Sequence, residues 1–224
     1  MTFLRANDAV RIAHAIEAAL DDPKSKESIH RVTSSDMTLA TRQKSQGKDA
    51  LWELDLYRRF KLAQTPVRFD EPDLVVSLGD EFGDYAVACK KAYSERSVAE
   101  SLSEGCSQLL KHGRPGIVAF NLDDLLPQDS VWEEATRAAL QARLDETNRK
   151  FLMSNAEHFT KTVERGSCDG ILVSTTVISD VPEMSPRIQV SRSTAIWDYK
   201  SSSDAKVRFA AFRNRLDQVL HEQQ

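Results

Sequence analysis

The sequence predicts an α/β protein built on a mixed central sheet with helices on both sides. Three observations carry that expectation. Short apolar runs of β character alternate with segments whose apolar residues recur at helical spacing. Leu74-Val75-Val76-Ser77-Leu78 and Tyr85-Ala86-Val87-Ala88-Cys89 flank a short acidic turn, Gly79-Asp80-Glu81-Phe82-Gly83, which makes them antiparallel partners. Gly116-Ile117-Val118-Ala119-Phe120-Asn121-Leu122 is almost continuously apolar, the pattern of a strand covered on both faces.

Taken in order, the chain opens with Asn7 as the cap of a helix over 9–20, which Asp21-Asp22-Pro23 ends. Residues 24–48 are polar and weakly patterned, and read as a connector carrying one short helix. A stronger helix covers 48–63, with Trp52, Leu56, Arg59 and Phe60 in line and Glu53 beside that stripe. Thr65-Pro66 stops it, and Val67-Arg68-Phe69 is a short strand ahead of the hairpin. The hairpin is entered through Pro72-Asp73 and closes on Lys90-Lys91. Ser94 is the expected cap of a helix over 95–111, whose apolar line is Val98, Leu102, Cys106 and Leu109. Ser130 and Glu133 have capping-box spacing and open a helical pattern lasting to about 164. Its length calls for a break near 146–150. Two β-rich runs follow, 170–178 and 186–197, and then a helix over 203–221 carrying Phe209, Phe212, Leu216 and Val219. These boundaries group as an N-terminal helix and connector (1–46), a core (47–126) and a helical and β-rich elaboration packed on it (127–224).

Composition narrows the function classes. The 224 residues suffice for one substantial core. No apolar run reaches the length of a membrane span, and the first residues lack a signal-peptide block, so the expectation is a cytoplasmic protein. The net charge of −4 means that any nucleic-acid contact must come from a local patch. One such patch is the side of the last helix bearing Lys206, Arg208, Arg213 and Arg215, which otherwise is simply solvated. Cys89, Cys106 and Cys168 are odd in number and lack CxxC spacing, so they read as small buried hydrophobes. Phosphate-loop, dinucleotide and nucleophile-elbow signatures do not occur.

Helix (Glu53), strand (Asp73), strand (Lys90), helix, strand is an αββαβ order, and here the chain resembles the restriction-endonuclease-like, or PD-(D/E)XK, nuclease superfamily. The resemblance spans roughly Gly47 to Leu126. Pro72-Asp73 corresponds to the PD element and Val87-Ala88-Cys89-Lys90-Lys91 to the strand bearing (D/E)XK. Gln108 falls where many relatives carry a glutamine, and Glu53 where many place an acid in the helix ahead of the hairpin. The resemblance implies Mg²⁺ or Mn²⁺ held by Asp73 and Glu53, with Lys90 orienting the attacking water and Gln108 positioning water or substrate. It implies action on nucleic acid, DNA in preference to RNA, in a setting of bacterial defence, repair or mobile elements. No membrane partner is expected; a homodimer or a partner protein is compatible with the elaboration at 127–224. The chain departs from the pattern at Ala88, where the superfamily has its second carboxylate. A protein that keeps this fold as a binding or assembly module without catalysis is therefore the alternative. Each residue also has an ordinary reading: Asp73 in a strand-entry turn, Glu53 paired with Arg58 or Arg59, Lys90 and Lys91 solvated, and Gln108 on a helix surface.

Overall fold

A computed structural model of the chain describes residues 2–39, 41–127 and 130–222. The protein is α/β with a mixed sheet. Its helices are α1 (Thr2–Ala19), α2 (Lys26–Ser34), α3 (Gln46–Leu62), α4 (Val98–His112), α5 (Arg137–Ser154), α6 (Ala156–Glu164) and α7 (Ser203–Glu222). The strands are β1 (Val67–Phe69), β2 (Leu74–Ser77), β3 (Asp84–Lys91), β4 (Gly116–Asn121), β5 (Val131–Glu133), β6 (Gly170–Asp180) and β7 (Ile188–Trp197). Their order across the sheet is β1-β2-β3-β4-β6-β5, with β7 on the remaining edge of β6. The β1/β2, β2/β3 and β6/β7 pairs are antiparallel, and the β3/β4, β4/β6 and β5/β6 pairs are parallel. One edge of β6 is thus shared, β4 covering residues 170–174 and β5 covering 178–180.

Alternation sorts the two cores. Tyr85, Val87, Ile117, Ala119 and Leu172 face a core shared with α1, α3 and α7. Ala86, Ala88, Val118, Phe120, Ile171 and Val173 face the core under α4, α5 and α6. Every residue of β4 is buried, as its continuous apolarity predicts. On the first face Trp52 of α3 is 1 % exposed and its Nε1 donates to the Ala119 carbonyl at 2.9 Å, fixing the helix over the strand ends that matter below. The hairpin turn closes through Gly83 N–H to Gly79 O at 2.7 Å, with both glycines at positive φ.

Three expectations are corrected, while the one short helix expected within 24–48 is α2, whose Ser28 and Val32 are buried. Asn7 does not cap a helix, because α1 begins at Thr2 and passes through it; an interior Asn costs a helix only a few tenths of a kcal/mol. Ser130 and Glu133 form no capping box, since Val131–Glu133 is a strand on β6 and the Ser130 hydroxyl donates to Pro127 O. Thr136 caps α5 instead, accepting from Ala139 N–H at 3.1 Å, and the long helix breaks at Asn155, later than 146–150. In addition, Ser94 precedes a short 3-10 turn without a side-chain capping bond. The strand at 67–69 is present, so the order from α3 to β4 is αβββαβ.

Candidate functional site

Asp73 stands one residue before β2, after a cis Glu71–Pro72 peptide. Its Oδ2 accepts from Cys89 N–H of β3 at 2.7 Å. Backbone N–H groups of a strand lie in the sheet plane. The carboxylate therefore occupies the in-plane position that a strand neighbour would fill, beyond the end of β2. Loss of solvent raises the Asp73 pKa well above the usual carboxylate range, and the charge of Glu53 raises it further. The Cys89 N–H, Lys90 and Arg31 oppose that shift.

Glu53 reaches the same place from α3, on the face that carries Cys89. It is 5 % exposed, and its Oε2 accepts from Ser28 Oγ and from Arg31 Nη2, both at 2.7 Å. Burial raises its pKa, and the charge of Arg31 and the Ser28 hydroxyl hold the rise back. Its partner is thus Arg31 of α2, not Arg58 or Arg59. Arg59 instead donates to Ser174 Oγ and Thr194 Oγ1. Asp49, one turn before Glu53, accepts from the Tyr93 hydroxyl at 2.9 Å and adds to the local negative charge.

Lys90 leaves β3 on the opposite face, the side of α4, and its Nζ lies 3.8 Å from Glu104 Oε2. Gly105 makes this possible: a Cβ there would meet Val118 at 3.0 Å and Lys90 Cε at 3.4 Å. Gln108 lies one turn beyond Glu104 and its Oε1 is buried without a hydrogen bond. Among the described residues no hydrogen bond or ion pair ties Gln108 to Asp73, Glu53 or Lys90. Asp73 thus feels the charge of Glu53 on the α3 face and of Lys90 on the α4 face. Among the described residues the hydrogen bonds of both carboxylates fall on one oxygen each, Asp73 Oδ2 and Glu53 Oε2. The other oxygens, Oδ1 and Oε1, are of the hard type that a divalent ion takes. No group of three or more His, Cys, Asp or Glu able to hold a metal occurs among the described residues.

Ser28 and Arg31 were hidden in the segment that reads as a connector. The signal for them was the i, i+3, i+4 spacing of Ser28, Arg31 and Val32, weakened by two polar members. The basic side of α7 is in part structural: Arg208 forks onto both oxygens of Asp169 at 2.8 Å. The three cysteines are free, Cys106 and Cys168 buried and Cys89 half-buried. No helix among the described residues is long and apolar enough to cross a membrane. No protein-family model matches the chain, and neither a curated protein nor a solved structure matches it.

Proposed function

We propose that the chain is a metal-dependent nuclease that hydrolyses phosphodiester bonds, in DNA in preference to RNA. The observation that carries this reading is two desolvated carboxylates, Asp73 and Glu53, acting on each other near the end of β3, with the Lys90 ammonium acting on Asp73 from the opposite face of the sheet. From α3 to β4 the chain keeps the αββαβ arrangement with β1 added ahead of the hairpin, which supports the same reading. Asp73 Oδ1 and Glu53 Oε1 would hold the ion, Mg²⁺ or Mn²⁺. Bound there, it would stabilise negative charge on the phosphate and lower the pKa of a coordinated water. Glu53 supplies from the helix the carboxylate that Ala88 lacks. Lys90, on the other side of Asp73, orients the attacking water or offsets charge developing on the phosphate, and Gln108 serves substrate placement.

A second reading is favoured by one specific contact. Arg31 already neutralises Glu53 at 2.7 Å, a position of positive charge that a metal would otherwise supply. With Ala88 also lacking an oxygen, the site would then bind a partner or nucleic acid without cleaving it. The two readings separate on plasmid and single-stranded DNA incubated with Mg²⁺ or Mn²⁺. The nuclease reading expects cleavage that falls about 100-fold or more in both Asp73→Ala and Lys90→Ala. It also expects a metal-dependent rise in Tm that Glu53→Gln diminishes. Wild-type protein that cleaves no better than those variants and shows no metal-dependent Tm shift leaves the binding module standing. Cleavage that survives Glu53→Gln removes Glu53 from the ligand set.

A further inference from the structure

Among the described residues β1, β5 and β7 each have an edge without a neighbouring strand. β1 and β5 are three residues long and each carries a charge, Arg68 and Glu133. Shortness and charge keep an edge from pairing with another chain. β7 has neither defence. It runs ten residues, Ile188–Trp197, with no proline, lysine or acid among them. Its one charge, Arg192, is turned back over β6, where Nε donates to Thr176 Oγ1 at 3.1 Å and Nη2 lies 3.5 Å from Asp55. Every residue of β7 except Ser193 is half-buried or exposed, whereas β6 beside it is buried over most of its length.

The ladder with β6 fixes which backbone groups face outward. Val181 N–H donates to the Arg187 carbonyl at 3.0 Å, and bonded positions alternate along an antiparallel pair. From that bond inward, Gln189, Ser191, Ser193, Ala195 and Trp197 bond to β6. Ile188, Val190, Arg192, Thr194 and Ile196 therefore turn both N–H and C=O away from the sheet. The other edge of β6 obeys the same parity: the Ser174 and Asp180 carbonyls accept from Leu122 and Glu134 N–H. β7 thus offers a row of backbone donors and acceptors that no strand among the described residues receives, a template for strand addition.

The strand's own sequence selects a second copy. Laid antiparallel with Ser193 on a two-fold axis, it sets Arg192 opposite Thr194, Val190 opposite Ile196 and Ser191 opposite Ala195. No like charges then face each other, and Val190, 37 % exposed, gains an apolar neighbour. Outward residues from Val190 to Ile196 meet outward residues of the other copy, for about eight backbone hydrogen bonds. Moving the axis to Arg192 would oppose two arginines. Moving it to Ser191 would bring Pro186, which has no N–H, opposite Ile196. With Arg192 held by Asp55, the edge shows a foreign strand no charge to recognise, while its copy matches it in length and alternation.

We propose that the chain forms a two-fold dimer through β7, joining the sheets into one with seven strands from each copy. The inference does not rest on the nuclease reading, since none of these groups belongs to the Asp73, Glu53 and Lys90 cluster.

Sedimentation velocity of the full chain over a concentration series tests this, together with backbone amide exchange followed by NMR. Val190→Lys places a charge on the edge, and Val190→Pro removes an outward N–H; neither removes a backbone bond to β6. The wild type should sediment at twice the mass of one chain, and each variant should raise the dimer dissociation constant about tenfold or more. Amides of Val190, Arg192, Thr194 and Ile196 should exchange slowly in the dimer, and those of Arg192, Thr194 and Ile196 fast in Val190→Lys. Those of Ser191, Ser193 and Ala195 should stay slow in both. If Val190→Pro fails to fold by circular dichroism, Val190→Lys decides. A wild type that stays monomeric up to about 0.1 mM overturns the proposal, whether its edge is bare or takes a strand of another kind. So does a dimer whose dissociation constant is unchanged in Val190→Lys, or one whose outward amides exchange as fast as in that variant.

Discussion

At Asp73 a side chain does the work of a backbone: its Oδ2 extends the β2/β3 ladder by one bond to Cys89 N–H after β2 proper has not yet begun. Glu53 raises the pKa of this carboxyl from the α3 face of the sheet, and Lys90 lowers it from the α4 face. Three residues earlier, Asp70 shows the contrasting case of an acid stabilised by its neighbours. The Lys24 ammonium at 2.7 Å, with Arg114 at 3.1 Å, holds its pKa down at about 2 despite some loss of solvent. A carboxylate whose pKa is depressed on folding adds stability that is fully present above its unfolded value, about 3.9, and is lost as pH falls through the folded one. Asp70→Asn should therefore lower stability near pH 6, by on the order of 1 kcal/mol once solvent screening of the exposed lysine is allowed for. Near pH 2 the variant and the wild type should converge. Urea unfolding at the two pH values measures the difference, and an equal loss at both would refute the ion-pair account.

Among the elements, the β3/β4 pairing depends on one missing side chain. Ala86 and Gly116 are register partners, and a Cβ on Gly116 would lie 2.2 Å from the Ala86 carbonyl oxygen and 2.8 Å from Leu109. Backbone cannot give way as a side-chain tip can, so Gly116→Ala should destabilise the fold by about 1–3 kcal/mol, read as a lower denaturant midpoint. The strand itself was legible because Ile117 to Phe120 are apolar without alternation, a pattern that only a doubly covered strand explains. The hairpin was legible from Gly79 and Gly83, which both adopt the positive φ that their turn requires. Less was legible where short elements are stabilised by polar contacts. In α2 the buried positions include Ser28, satisfied by Glu53, so hydrophobic periodicity does not register the helix. At Ser130 and Glu133 a spacing shared by capping boxes and by ordinary strands misled, because three residues of β5 gain their place from β6 and not from local propensity.

Across the molecule, helices on one face are tied to the far edge of the sheet through Asp55. Its Oδ2 accepts from Arg11 Nε of α1 at 2.7 Å and lies 3.5 Å from Arg192 of β7. Burial alone would raise its pKa, yet Arg11 and Arg192 bring it below the usual range. Arg59 is a further buried cation in this layer, its pKa lowered by burial and by Arg192. Removing the acid leaves arginines facing one another, so Asp55→Ala should cost about 3–5 kcal/mol in equilibrium unfolding. Adding Arg11→Met should recover part of that loss; simple additivity of the two would contradict the coupling. This layer was illegible in the sequence because its members come from three distant segments. The candidate site was half legible: Asp73, Glu53 and Lys90 stand out by type and order, whereas Arg31 acquires meaning only through its contact with Glu53. Lys90 and Lys91 are consecutive at the end of β3 and so leave it on opposite faces, with one more consequence. A strand assigns sides by parity, so deleting or inserting a single residue between Tyr85 and Cys89 would exchange the two ammonium groups between compartments while leaving the local composition almost intact. Variation in this chain can therefore replace residues along that strand far more freely than it can change their number.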